Sequence, residues 1–160
     1  MMFKDGLFRI LIVDDSIEMR HLLRKLIDMN DVTPYVFEAK NGKEALTKFQ
    51  KIQPDLVLLD LQMPEMDGIV TLRLMKKMDP SVKVMMMSRS GSKNDTQDAI
   101  KYGACDFLLK PFDRNEFAFK VIKNLREKAN EDKIIELQKT TKMLNEKNST
   151  LSKKSKIIQK

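Results

Sequence analysis

Four short apolar runs, Phe8 to Val13, Asp55 to Leu59, Val82 to Met87 and Phe107 to Leu109, each stop at a polar residue and are separated by stretches with helical spacing. Runs of this length, apolar at nearly every position, read as strands buried on both faces. A weaker strand fits at Tyr35 to Ala39. Between them, Ser16 is placed to cap a helix whose Leu22, Leu23, Leu26 and Ile27 form an apolar stripe, and Gly42 precedes a second with Ala45, Leu46 and Phe49. Gly68 opens a third helix, Asn94 to Tyr102 makes a fourth stopped by Gly103, and a fifth begins at Asp113. The order is βαβαβαβαβα. Because each parallel crossover needs a connection of about a dozen residues or more, strict alternation predicts a doubly wound α/β domain with helices on both faces of a parallel sheet.

The chain has 160 residues, enough for one such core and an appendage. Its longest apolar stretches fall far short of the ~18 residues that span a bilayer, and its start carries no signal-peptide pattern, so we expect a cytoplasmic protein with no membrane partner. Cys105 is the single cysteine and cannot form an internal disulfide; beside a strand start it reads as an inert buried thiol. The Met85 to Met87 run reads as core filler and His21 as a surface or packing residue. The net charge is +7. From Arg126 to Lys160 there are ten Lys/Arg against five Asp/Glu, so this segment supplies 10 − 5 = +5 and the rest only +2. With no helix-turn-helix pattern or aromatic platform beside it, that surplus reads as a solvated helix face, and nucleic acid is not an expected partner.

The polar residues that end the apolar runs carry the chemistry. Asp14, Asp15, Asp60, Ser88 and Lys110 each follow directly on a strand run. In an open parallel sheet the carboxyl ends of the strands share one edge, where ligands bind at the switch point, so these residues should converge. Two carboxylates about 4 Å apart repel by roughly 4 kcal/mol at an effective dielectric near 20. Lys110 offers one compensating charge and a hard divalent cation two, held through carboxylates, a carbonyl and waters. The crevice therefore fits Mg2+ and a phosphoryl group.

The segments Ile12-Val13-Asp14-Asp15-Ser16, Leu58 to Gly68, Ser88 and Phe107-Leu108-Leu109-Lys110-Pro111-Phe112 resemble a response regulator receiver domain, over roughly residues 7 to 126. The resemblance implies a flavodoxin-like five-stranded parallel sheet. It implies that Asp60 takes a phosphoryl group from a sensor histidine kinase, and that Asp15, Asp60 and the backbone carbonyl of Gln62 hold Mg2+ with Asp14 helping through water. Lys110 and Ser88 would act on the transferring oxygens, and Ser88 with Phe107 would form the switch. It also implies a cis Lys110–Pro111 peptide that aims the lysine. Such a domain catalyses only its own phosphorylation and dephosphorylation. Two positions depart from the commonest pattern: Arg89 follows Ser88 where a small residue is usual, and Gln62 stands two after Asp60. A Mg2+-dependent phosphatase with an aspartyl nucleophile would want a second acid at that last position, which Gln62 cannot supply.

We therefore divide the chain into a receiver domain at 1–126 and a helical coiled-coil linker at 127–160. The tail has no Gly or Pro, and Leu137, Leu144, Leu151 and Ile158 recur every seven residues. With these at d, the a positions are Ile134, Thr141, Asn148 and Ser155, which makes a weak parallel coil and a homodimer. The stripe Ile122, Leu125, Ala129 of the fifth helix slips out of phase near Asn130 to Lys133. Coils of this sort lead in the family to an output such as a diguanylate cyclase, expected here beyond Lys160. The alternative is a complete single-domain regulator whose helical tail binds a partner.

Overall fold

The computed structural model describes residues 8–158. The start of the receiver match at Leu7, the Ile158 side chain and the end of the tail at Lys160 lie outside the described residues or side chains. The elements run β1 (Ile10–Val13), α1 (Ile17–Met29), β2 (Val36–Ala39), α2 (Gly42–Ile52), β3 (Leu56–Asp60), α3 (Gly68–Met78), β4 (Lys83–Ser88), α4 (Lys93–Lys101), β5 (Asp106–Leu109) and α5 (Arg114–Ile158). All pairings are parallel and the strand order is β2-β1-β3-β4-β5. The fold is the flavodoxin-like sheet with helices, followed by a long C-terminal helix.

Successive strand residues face opposite sides of the sheet, so each apolar run feeds two cores. Ile10, Ile12, Leu58, Met85, Met87 and Leu108 pack with Leu23 and Ile27 of α1 and Phe117, Val121 and Leu125 of α5. Leu11, Val13, Leu59, Val84 and Met86 pack with Ala45 and Phe49 of α2, Leu72 and Met75 of α3 and Ala99 of α4. The three consecutive methionines are fully buried and split between the two faces, which accounts for them without a ligand. Among the described residues no helix is long and apolar enough to cross a membrane.

Side-chain caps fix the helix starts. Ser16 Oγ accepts from the Met19 amide at 3.2 Å, and Asn41 and Ser92 cap α2 and α4 in the same way. The Ser92 cap sets α4 one residue earlier at each end than the sequence spacing predicts. Gly103, at φ +94°, then turns the chain away in a conformation that suits glycine.

Both edge strands are closed by cations. On β2, Arg24 donates to the Val36 carbonyl and Lys48 to the Glu38 carbonyl; on β5, Lys120 donates to the Phe107 carbonyl. Covering these outward groups guards the edges against pairing with another chain.

The chain divides into two compact units between Lys128 and Ala129. In the first, α5 buries Phe117, Val121 and Leu125 with the polar Asn124 and Lys128, so the line of burial differs from the expected Ile122, Leu125, Ala129 stripe, of which Ile122 and Ala129 are partly covered. Lys128, the last residue of this unit, places its ammonium 3.3 Å from Ser81 Oγ. In the second unit every side chain from Asn130 to Ser155 is exposed, including Ile134, Leu137, Leu144 and Leu151.

Candidate functional site

The carboxyl ends of β1, β3, β4 and β5 meet at one edge of the sheet. Asp14 follows β1, Asp60 ends β3, Ser88 ends β4 and Lys110 follows β5. Asp14 is 1% exposed, Asp60 5% and Ser88 fully buried, whereas Asp15 is exposed. Each of Asp14, Asp15 and Asp60 offers a carboxylate oxygen within 4.8 Å of the others. The Lys110 ammonium lies 2.6 Å from Asp14 Oδ2 and 3.3 Å from Asp60 Oδ1. The convergence deduced from strand order is thus present as a cluster of three carboxylates, Asp14 and Asp60 buried against the Lys110 ammonium and Asp15 exposed at its rim.

Local structure holds each member in place. Asp14 Oδ1 accepts from the Ser16 amide at 2.9 Å, and Arg20 of α1 donates to the Asp14 carbonyl at 2.8 Å. The loop after β3 doubles back, with the Leu61 amide on the Met87 carbonyl at 2.8 Å and the Gly68 amide on the Leu61 carbonyl at 2.9 Å. A Cβ at Gly68 would stand 2.4 Å from the Asp60 carbonyl oxygen, so this close approach admits only glycine. Ser88 is tied to its neighbours twice: its hydroxyl accepts from the Ser90 amide at 2.9 Å, and its carbonyl accepts from the Lys110 amide at 2.7 Å. The Lys110–Pro111 peptide is cis.

Burial dominates the electrostatics of Asp60 and pushes its carboxyl from an ordinary 3.8 up to about 6. Attraction to Lys110 opposes this, the Asp14 charge adds to it, and hydrogen bonds from Lys110 and the Gln62 amide lower it. The Cys105 thiol is pushed up to about 12, first by burial, which fits an inert thiol.

The remaining predicted residues lie at the margin. The Gln62 side chain is exposed, and its amide serves Asp60. Phe107 is half-buried against the core on the α2, α3 and α4 side, level with Met86 and two positions below the Ser88↔Leu109 pair. Arg89 is exposed, as is His21. The contacts of Arg20 and the tight approach at Gly68 were not read as parts of the site from the sequence. An arginine in the first turn after Ser16 is the signal that could have found the former.

The family model for the response regulator receiver domain matches residues 10–123. The chemotaxis protein CheY of Listeria monocytogenes serovar 1/2a is 44% identical over 106 residues, which are 66% of this chain and 88% of that protein. The sporulation initiation phosphotransferase F of Bacillus subtilis is 39% identical over 122 residues, 76% of this chain and 97% of its own length. A solved complex of CheX and CheY with BeF3 and Mg2+ from Borrelia burgdorferi superposes with a TM-score of 0.69 at 32% identity, covering 72% of this chain and 87% of that one.

Proposed function

The chain belongs to the response regulator receiver domain family, and on that premise we propose that Asp60, in the cytoplasm, accepts a phosphoryl group from the phosphohistidine of a sensor histidine kinase. Receiver domains are phosphoacceptor signalling modules that work with histidine kinases or phosphotransfer partners, and are not enzymes in the ordinary sense. The observation that carries the assignment to Asp60 is its place at the end of β3, buried, within 3.3 Å of Lys110 and inside the carboxylate cluster.

In the transfer, an Asp60 oxygen forms a bond to phosphorus as the phosphorus–nitrogen bond of the donor breaks. The imidazole leaves with that bonding pair and an acyl phosphate remains. Positioning and charge do most of the work in such a reaction. Lys110 meets the incoming phosphoryl oxygens with its ammonium, and the Ser88 hydroxyl is free to donate its proton to one of them while its oxygen accepts from Ser90.

Three carboxylates against one lysine leave an excess of negative charge, and their hard oxygen donors fit Mg2+. Asp15 and Asp60 would hold it with the Gln62 carbonyl, and Asp14 would assist through water. When bound, it supplies two positive charges to the transferring oxygens. That a relative was solved with BeF3 and Mg2+ supports this reading.

We read the exposed Leu137, Leu144 and Leu151, with Ile134, as the seam of a parallel homodimer that the receiver biases through Ser88 and Phe107. In this reading 1–126 is the receiver and 127–160 the linker. Incubation with acetyl phosphate and Mg2+ should add one phosphoryl group to the wild type, seen by intact-mass analysis. Robust labelling of Asp60→Asn under the same conditions would sink the assignment.

A further inference from the structure

The outer edge of β5 is held by one face of α5. In the sheet, the Phe107 carbonyl points away from β4 and, among the described residues, no strand lies beyond it; its partner is the Lys120 ammonium. Lys120 also lies 3.4 Å from Asp106 Oδ1 and 3.3 Å from Glu116 Oε1, one turn back on α5. Lys123 reaches Asp106 Oδ2 at 3.0 Å, and the buried Asn124 donates to the same oxygen at 3.1 Å and to the Lys120 carbonyl at 2.8 Å. The Phe107 amide in turn donates to Asp106 Oδ1 at 3.0 Å. The peptide groups on both sides of Phe107 are therefore fixed by α5 and Asp106.

We propose that Lys120 is a positioning residue for the switch, tying the Phe107 peptide to α5 so that a turn of Phe107 is felt by the helix. The inference rests on the reading of Ser88 and Phe107 given above. An ammonium-to-carbonyl bond is strong but weakens steeply with distance and angle, so a rotation that moves the Phe107 peptide either carries Lys120 along or releases it. Release has a place to go, because Glu116 at i−4 can take the ammonium alone. On this proposal Lys120 alternates between the observed arrangement, shared between β5 and α5, and one drawn toward Glu116 within α5, and such a two-state element is what a switch needs.

The opposite edge of the sheet holds a natural control. Lys48 caps the Glu38 carbonyl of β2 and pairs with Glu44 at i−4 at 2.7 Å, the carbonyl and i−4 contacts of Lys120 without its Asp106 pair, beside a strand with no switch residue. If Lys120 only covers an edge, the two lysines are equivalent. The full chain carrying Lys120→Met, Lys48→Met, Lys120→Arg or Glu116→Gln should be compared by hydrogen-exchange mass spectrometry, with and without beryllofluoride and Mg2+. In the wild type and in Lys48→Met, the mimic should change exchange in segments 84–92 and 104–110 and in 114–128. Lys120→Met should keep the first two responses and lose at least about fivefold of the third, a coupling change of the usual size. Lys120→Arg should restore it, and Glu116→Gln, a surface change that leaves the core alone, should diminish it by removing the alternative partner. A wild-type response of 114–128 in both Lys120→Met and Glu116→Gln overturns the inference, as does an equal loss in Lys48→Met. Absence of any response around Ser88 in the wild type at saturating mimic overturns the switch reading itself, and the inference with it.

Discussion

Replacing Asp60 with Asn should stabilise the protein when Mg2+ is absent, and the gain should depend on pH. Asp60 is 5% exposed, and burial pushes its carboxyl up to about 6 from an ordinary 3.8, against the pull of Lys110. Well below its ordinary 3.8, at about pH 3 and under, the group is protonated in the folded and the unfolded chain alike, and behaves much as Asn would. Between about pH 4 and 6 the unfolded chain releases a proton that the folded chain still holds, so wild-type stability falls as pH rises. Above that window the loss is complete, and a shift of roughly two units corresponds to about 3 kcal/mol. Asn cannot ionise and escapes the loss. Urea denaturation in EDTA should therefore place Asp60→Asn about 3 kcal/mol above wild type at pH 8 and less than about 1 kcal/mol above it at pH 4. Millimolar Mg2+ should narrow the gap at pH 8, because binding to the folded wild type adds RT ln(1 + [Mg2+]/Kd), which the variant lacks in large part. A gap that ignores pH, or a variant less stable than wild type at pH 8 in EDTA, would refute the claim that Asp60 is held as a desolvated, under-compensated carboxylate.

Two further outcomes are expected. Lys110→Ala removes the ammonium 2.6 Å from Asp14 and 3.3 Å from Asp60; circular dichroism should report the fold retained and calorimetry Mg2+ still bound, while beryllofluoride no longer shifts the association state in light scattering. Leu144→Asp with Leu151→Asp should weaken self-association at least about tenfold across a concentration series, since it buries charge at two d positions, and should leave acetyl-phosphate labelling of Asp60 unchanged by intact mass.

How much of this was legible in the sequence follows from what each residue has to satisfy. Strands buried on both faces must be apolar at nearly every position, so β1, β3 and β4 stood out, and the polar residues closing them marked the site edge. The run Phe107 to Leu109 marked β5 as well, while β2 gave the weaker signal because it is an edge strand whose outward groups are finished by side chains from α1 and α2. Asp14 and Asp15 are alike in sequence but not in space: Asp14 is buried against Lys110 and Asp15 is exposed. The turn at Ser16, whose amide bonds Asp14 Oδ1, and the Lys110 ammonium on Oδ2 hold Asp14 as the inward carboxylate. Of the buried face of α5 the stripe caught Leu125 and the partly covered Ile122 but not Asn124 and Lys128, which are polar and find partners outside the helix, Asp106 and Ser81. Hydropathy cannot show that a polar group will be satisfied.

The polar a positions of the tail make sense when set against the size of signal a receiver can send. Moving an association equilibrium from 1:99 to 99:1 takes about 5.5 kcal/mol. Coupling between sites is typically about 1–3 kcal/mol, so two receivers acting together reach that figure only near the top of their range. A seam with Ile or Leu at every a position would hold the dimer whatever the state of Asp60, and one without leucines would never form. In the proposed dimer Leu137, Leu144 and Leu151, each more than half exposed in the single chain, would supply the attraction. In the proposed dimer Thr141, Asn148 and Ser155 would withhold the rest, and Asn148 would favour a two-stranded register with its counterpart. On this argument the weakness of the heptad is what makes it responsive: substituting Asn148 with Ile would strengthen the coil and, by the same step, remove the dependence of association on phosphorylation.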